Sequence, residues 1–493
     1  MKRTMKHTLT LVLALIFIMS LCTIVPASER VDVIVVGAGT AGLPAAFVAS
    51  EAGAKVVVIE KMGFTGGSLN VSGASIAGAV TQFSKDLDLG DEPDKHFFES
   101  MRMGSYRNVP ELLKLYTDNA GGTIDWLADL GVGFKNNRPD FALEHALYEI
   151  PRTYTVEEGA ASVGKLLTEK LEANGVPVLL DTRAVELIQD ASGKVIGLWA
   201  VDNTGKFIRF EAEAILLTTG GFAANIDMLK QFKPGLTEAF SVACPSNTGD
   251  GIRMARAIGA GSTHMNYFSC YPWAIDRGKG VFITGAGRNA RHYGAIHVNS
   301  DGERFVDEGE EPAFIGEQVV QQKGSTNYIL FDHAMVEAMY EDNQPVLNLW
   351  NKLNKFEKEA DTGKLAKKGD TIEELATALD IDPETLADTI TRYNSFVELG
   401  RDEDFGRKEL QAKFENGPFY AIQTYVYTMS SMGGLTVNTD FQVLDTNGHV
   451  IPGLYAAGMT AGGVHGERMG SGNGIGWGLT SGRLAGSSIV DHL

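Results

Sequence analysis

Residues 31–61 read VDVIVVGAGTAGLPAAFVASEAGAKVVVIEK, and this stretch decides the fold. Val33 to Val36 is a short, apolar, β-branched run, the pattern of a buried parallel strand. It leads into Gly37-Ala38-Gly39-Thr40-Ala41-Gly42, a G-x-G-x-x-G. Pro44 to Ala52 has the Ala-rich composition of a helix packed closely on a sheet. Val56 to Ile59 is a second buried strand, and it ends at Glu60. Gly37 permits the tight turn, Gly39 lets a pyrophosphate approach the backbone, and Gly42 lets helix and strand pack closely. The helix N-terminus offers free N–H groups and a positive dipole end to phosphates. Glu60 is placed to accept hydrogen bonds from an adenosine ribose. A lone G-x-G-x-x-G is a weak signal that also suits a plain Gly-rich turn. Here strand, turn, helix, strand and terminal acid fall in order, which marks a dinucleotide-binding unit.

The chain has 493 residues, room for two to four domains. Its 57 glycines suit a protein with many close loop contacts, and its net charge is −19. No basic block lies outside the N-terminus, which argues against nucleic acid or an anionic membrane as a partner. Lys2, Arg3 and Lys6, then apolar Leu9 to Met19, then Val25-Pro26-Ala27 read as a secretory signal peptide over residues 1–27. The alternative is a membrane anchor, for which the apolar stretch is short. The expectation is an exported protein, periplasmic or on the cell surface, with no stable membrane span. With no Arg-Arg pair, export in an unfolded state is expected, so a cofactor would load outside the cytoplasm. The mature chain keeps Cys244 and Cys270, with no C-x-x-C and hence no haem or zinc signal. One disulfide is open in an oxidising compartment; two buried thiols is the simpler reading.

Residues 63–82, GFTGGSLNVSGASIAGAVTQ, form a small-residue loop against which a flat ring system would fit. Pro110 to Leu130 reads as an amphipathic helix, and Val163 to Ala173 as another. Val176 to Leu180, Ala184 to Gln189, Val195 to Val201 and Phe207 to Glu211 read as strands. Ala214 to Leu217 is a further buried strand, ending in Thr218-Thr219-Gly220-Gly221. From about His264 to Tyr420 the Gly-turn-strand units stop. Gly363 to Gly369 reads as a Lys-rich solvated linker, and Thr371 to Leu399 as a helical pair with Asp382-Pro383 capping the second member. The Gly-rich style then returns, with a strand at Leu454 to Ala457 and a final helix from Ile475 to His492. The expectation is an α/β protein: a doubly wound nucleotide domain over 28–263 and 421–493, split by an inserted α+β capping domain over 264–420.

Together the N-terminal fingerprint, the TTGG turn, IPGLYAAG and HGERMGSGN resemble the flavoprotein family of fumarate reductases and soluble flavocytochromes c. Urocanate reductase and the ketosteroid dehydrogenases are relatives. Asn247 to Gly251, Val298 to Val306 and Met432 to Leu435 also match family stretches. The resemblance implies a Rossmann-like FAD-binding domain. Its pyrophosphate would lie at Gly37, Gly39, Thr40, Ala41 and Gly42, and its adenosine at Glu60, Lys61 and Ala184. Gly67, Ser68, Gly73, Gly220, Asp250, Gly458 and Met459 would line the rest. Asn473, Gly474 and Ile475 would present a helix N-terminus to the flavin N1–C2=O edge. No His lies in 63–82, where some members attach flavin covalently, so the FAD is expected to be non-covalent. No metal is expected.

The departures from the family bear on the substrate. The proton-donating Arg falls on Pro312 and its associated acid on Gly285, while the next Arg is retained as Arg288. The carboxylate-binding His is Ser430 or Ser431. A His-Pro becomes Tyr271-Pro272, as urocanate reductase resembles more. A second carboxylate-binding Arg is Arg468, displaced by one position. Tyr271, Arg288 and Arg468 are the catalytic candidates. Arg288, Asn289, Arg291, His292 and Tyr293 form a local insertion that reads either as substrate recognition or as a solvated loop. Tyr271 and the Tyr293 loop would line the volume opened by the His-to-Ser change. Tyr425 and Tyr427 alternate on a strand near the site, and His465 reads as structural or flavin-side.

The activity implied is reduction of an activated C=C bond in an enoate or enone other than fumarate. It needs hydride from flavin N5, a placed proton donor and a separate electron-donor protein. The alternatives are a dehydrogenase that desaturates a ketone or carboxylate, and a non-catalytic flavin electron-transfer protein. Fold analogy alone does not choose among them.

Overall fold

A computed structural model describes residues 30–141, 149–236, 238–278, 282–342, 344, 346 and 356–493. The expected leader over 1–27 lies outside the described residues. The opening unit forms as read: β1 (Val31–Val36), α1 (Gly42–Glu51) and β2 (Val56–Ile59), with β1 and β2 parallel. Ile34, Val35 and Val58 have no exposed surface, as a strand covered on both faces requires. A Cβ on Gly42 would stand 1.8 Å from the Gly37 carbonyl oxygen, so α1 begins where only glycine fits.

The eight-stranded sheet runs Gln442–Leu444, Val450–Ala456, Phe207–Leu217, β1, β2, Val178–Leu179, and Thr182–Gln189 and Val195–Asp202 extend it. Phe207 to Glu211 and Ala214 to Leu217 are one strand rather than the two expected. Its first half pairs antiparallel with Val195–Asp202; its second half pairs parallel with β1 and Val450–Ala456. The solvated first half alternates in burial, and the enclosed second half does not. This change of environment along one strand looked like a break in the sequence. The final helix, Asn473–Asp491, starts two residues earlier than read and packs on α1. Cβ atoms on its Gly482 and Gly486 would stand 2.2 and 2.5 Å from the carbonyl oxygens of Ala41 and Ala45. The loop 63–82 is more ordered than expected, with a 3₁₀ turn at Gly67–Val71 and a strand Ser75–Ala77 paired with Thr153–Thr155.

A second sheet of seven strands is built around Phe419–Thr428. Tyr271–Asp276, Thr326–Asp332 and Lys367–Gly369 join it antiparallel, and Phe240–Ser241 joins it parallel. It carries its own hydrophobic cluster, with Trp273, Ile296, Phe331, Tyr393 and Tyr420 at its centre. Lys367–Gly369, read as linker, is a short edge strand whose lysines stay exposed, a usual way of blunting a sheet edge. The helical pair is Ile372–Leu379 and Pro383–Leu399; Asp382 caps the second as read, and Thr371 caps the first. Wholly buried Glu308 is clamped between Arg304 at 2.8 Å and Arg407 at 3.1 Å, and Arg304 also pairs with Asp402 at 3.0 Å. Burial pushes the Glu308 carboxyl up, but the two guanidiniums bring it below its usual range, so it stays ionised.

Cys244 and Cys270 are both buried free thiols, so the disulfide alternative does not form. No helix among the described residues is long and apolar enough to cross a membrane. Nor do those residues bring three His, Cys, Asp or Glu together as a metal site.

Candidate active site

A cavity opens at the C-terminal ends of β1, β2 and Phe207–Leu217, where open α/β sheets place their ligands. Its wall includes Gly37, Gly39, Thr40, Ala41, Glu60, Lys61, Gly67, Ser68, Ala184, Gly220, Asp250, Gly458, Met459, Gly474 and Ile475. Three expected residues are not in it. Gly42 is spent on the close contact with Gly37, and Gly73 is exposed. Asn473 points into the interior. Its Oδ1 accepts from His96 Nε2 at 3.0 Å and from the Tyr116 hydroxyl at 3.2 Å, and its Nδ2 donates to Ser100 Oγ at 3.2 Å. Burial, with the Arg152 charge, pushes His96 down to about 3, so the imidazole is neutral and donates through Nε2. The residue expected to face the flavin instead anchors the helix whose next residues, Gly474 and Ile475, line the cavity.

At the expected adenosine end, Glu60 Oε2 accepts the Ala38 N–H and Oε1 the Met62 N–H, each at 2.8 Å. Burial raises the Glu60 carboxyl above its usual range despite both bonds. Lys61 Nζ donates to Thr248 Oγ1 at 2.6 Å and to Asp250 Oδ2 at 3.0 Å. Arg183 grips the same carboxylate with two bonds of 3.2 Å, and Arg253 also pairs with it. Burial pulls Asp250 up, but these cations outweigh it and hold it at about 2. Arg183 and Cys244 also line the cavity; no local pattern marks either, since only the folded sheet brings them there.

The residues present fit a dinucleotide. Thr40 Oγ1, beside the start of α1, is buried with no hydrogen-bond partner among the described residues. A Cβ on Gly39 would stand 3.8 Å from the Gly67 Cα, so two backbones face each other across a slot without side chains. An unspent hydroxyl, a helix N-terminus and bare backbone suit a pyrophosphate. Val36, Ile59, Val242, Met459 and Ile475 supply apolar wall for rings.

The catalytic candidates lie outside the cavity wall. Arg468 immediately precedes Met469, which is in it. Arg468 Nη1 stands 3.4 Å from Glu311 Oε2. Glu311 caps the helix Pro312–Gln321 and accepts the N–H groups of Ala313 and Phe314 at 3.2 and 3.3 Å. Arg288 occupies the turn before Ala290–Tyr293, close enough to Arg291 to depress it, after burial as the larger cause. Arg291 lies over the Trp273 ring at 5.5 Å and donates to the Glu310 carbonyl at 3.0 Å.

The insertion does not act as one surface. Asn289 donates to Gln344 Oε1, and the Tyr293 hydroxyl to Asp342 Oδ2, both at 2.8 Å. Tyr293 is therefore tied to the end of the helix His333–Glu341, and both it and Tyr271 pack against the second sheet's hydrophobic cluster. Tyr271 faces Tyr427, with ring centroids 5.4 Å apart. Tyr425 sits edge-on to Phe240 at 6.0 Å.

The two serines separate by role. Ser431 Oγ accepts the Phe222 N–H at 2.9 Å and is spent on the backbone. Both serines line the cavity, and Ser430 Oγ is buried with no hydrogen-bond partner among the described residues. His465 is buried, and burial pushes it down to about 3, a neutral structural residue.

Comparison with known proteins agrees with this geometry. Residues 32–475 match the family described as FAD binding domain. Fumarate reductase (cytochrome) of Shewanella frigidimarina is 32% identical over 467 residues, 94% of this chain and 78% of that protein. Urocanate reductase of Eggerthella lenta is 33% identical over 446 residues, 90% of this chain and 72% of that protein. The solved open conformation of a flavocytochrome c3 fumarate reductase superposes with a TM-score of 0.75. It shares 28% identity, and the match covers 95% of this chain and 79% of that one.

Proposed function

We propose, from the premise that this chain belongs to the FAD-binding domain family together with fumarate and urocanate reductases, that it reduces the activated C=C bond of an enoate or enone other than fumarate. The substrate is bulkier than fumarate and preferably carries an aromatic group. The observation that carries this reading is Ser430 Oγ, without a hydrogen-bond partner among the described residues, in the cavity wall at one of the two positions, Ser430 or Ser431, where the resemblance places a cationic His. Replacing His by Ser removes a charge and leaves volume and a hydroxyl donor. Proline at 312 likewise removes a guanidinium from the cleft.

Bound non-covalently, FAD would supply the hydride that adds to the β-carbon, and a separate electron-donor protein would re-reduce it. The chain's residues do the rest. The slot at Gly39 and Gly67 fixes the pyrophosphate end. The N–H groups opening Asn473–Asp491, held from behind by His96 and Tyr116, present positive potential to the ring edge. Ser430 donates to the substrate, and Arg468 lies within reach of its carboxylate. Tyr271 or Arg288 delivers the proton to the α-carbon. Residues 264–420 serve as the mobile cap, their sheet completed by Phe419–Thr428 and Phe240–Ser241, and residues 1–27 as an export leader.

The test is anaerobic reoxidation of the chemically reduced holoenzyme. Arylacrylates or aryl enones should reoxidise it rapidly and fumarate slowly. Faster reoxidation by fumarate than by every bulkier alkene overturns the reading. FAD should appear in the supernatant after acid precipitation; flavin that stays with the polypeptide refutes non-covalent binding.

A further inference from the structure

The Glu311–Arg468 pair places a carboxylate of the second sheet's side of the molecule against the arginine beside the flavin cavity. Glu311 is well fixed. Its Oε2 accepts two N–H groups of the first turn of Pro312–Gln321, where an anion is favoured by the helix end. The chain just before it is held by Glu308, clamped between Arg304 and Arg407. The Glu311 side chain is 15% exposed and that of Arg468 is 32% exposed, so solvent screens the pair only in part. Arg291, a guanidinium whose charge also reaches Glu311, is engaged with Trp273 and the Glu310 carbonyl. An incoming substrate therefore meets Arg468 with its charge already opposed.

We infer that Glu311 is a specificity-determining residue: an internal counter-ion to Arg468 that admits alkenes with one carboxylate or none and rejects dicarboxylates. This rests on the reading that the site takes an alkene. A substrate with one carboxylate engages the edge of the Arg468 guanidinium that Glu311 leaves open. A second carboxylate would bring another negative charge towards Glu311 in a partly desolvated cleft, where like charges repel more strongly than in water.

The experiment reads binding without turnover. Oxidised holoenzyme is titrated with succinate and with 3-phenylpropionate, following the flavin absorbance. Glu311→Gln removes the charge and keeps a side-chain oxygen for the helix cap. The succinate Kd should fall about tenfold or more and that of 3-phenylpropionate should change less than about threefold, the contrast expected of one charge contact in a half-screened site. Glu311→Asp should retain the wild-type ratio. Equal changes for both acids, or none, overturn the proposal. If the glutamine variant does not fold, wild-type salt dependence decides. The ratio of succinate to 3-phenylpropionate Kd should narrow as salt screens the repulsion; a constant or widening ratio overturns it. A protein that binds both acids yet is reoxidised by no alkene refutes the reductase reading and leaves the charge effect separately measured.

Discussion

The Glu60 carboxylate accepts the backbone N–H of Ala38 at 2.8 Å, so the acid ending the second strand holds the glycine turn that ends the first. It also accepts the Met62 N–H at 2.8 Å. A residue expected to serve a bound ribose thus shapes the site before any ligand arrives. Glu60→Ala leaves two buried donors without an acceptor, at about 1–3 kcal/mol each. The ligand-free protein should melt about 2 °C or more lower, and FAD affinity should fall as well. Lost affinity with an unchanged ligand-free melting temperature would confine Glu60 to ribose binding.

Asp250 gathers Lys61, Arg183 and Arg253 at the adenosine end. Its folded pKa, about 2, lies below the ordinary 3.8. A depressed carboxylate contributes stability above its unfolded pKa and loses it as pH falls through the folded value. Asp250→Asn should therefore destabilise the protein by about 1–2 kcal/mol at neutral pH. The difference from wild type should shrink between about pH 4 and pH 2. Urea melts at pH 7 and pH 3 check this; a difference that is the same at both refutes the ionic role.

Gly37 and Gly39 should respond differently to alanine. At Gly37 φ is +110°, and a Cβ would stand 2.5 Å from the Thr218 carbonyl oxygen. At Gly39 the nearest neighbour of a Cβ is 3.8 Å away, an ordinary contact. Gly37→Ala should lower the stability of the ligand-free protein. Gly39→Ala should leave that stability unchanged and weaken FAD binding at least tenfold, by placing a methyl group of roughly 1 kcal/mol or more in the slot. Scanning calorimetry with and without FAD separates the two. A Gly39→Ala protein with wild-type affinity would mean that the pyrophosphate lies elsewhere.

Tyr271 and Arg288 are the two candidates for proton donor in the proposed reduction. Tyr271→Phe should lower turnover about a hundredfold or more, the usual scale for loss of a general acid, while FAD stays bound. If Arg288 donates, Arg288→Ala shows the loss and Tyr271→Phe does not. Two variants with wild-type turnover would place the donor on another residue.

The sequence alone determined the opening β1–α1–β2 unit, the cap at Asp382 and the buried thiols, and its resemblance to a known family marked most of the cavity wall. These features obey local rules: apolar runs set strands, a missing Cβ permits a turn, and a side-chain oxygen caps a helix. Tertiary structure decided what local pattern leaves open. Phe207–Leu217 is one strand because its partners change along its length. Asn473 turns inward because His96, Tyr116 and Ser100 meet it there. Ser430 keeps its hydroxyl for the cavity because Ser431 spends its own on Phe222. Arg468 is opposed by Glu311, 157 residues away in sequence, a pairing that no propensity or spacing encodes. Such contacts form only when sheets and helices have packed. The charge balance at Arg468 is therefore a property of the fold, while the dinucleotide-binding turn can be read from the chain.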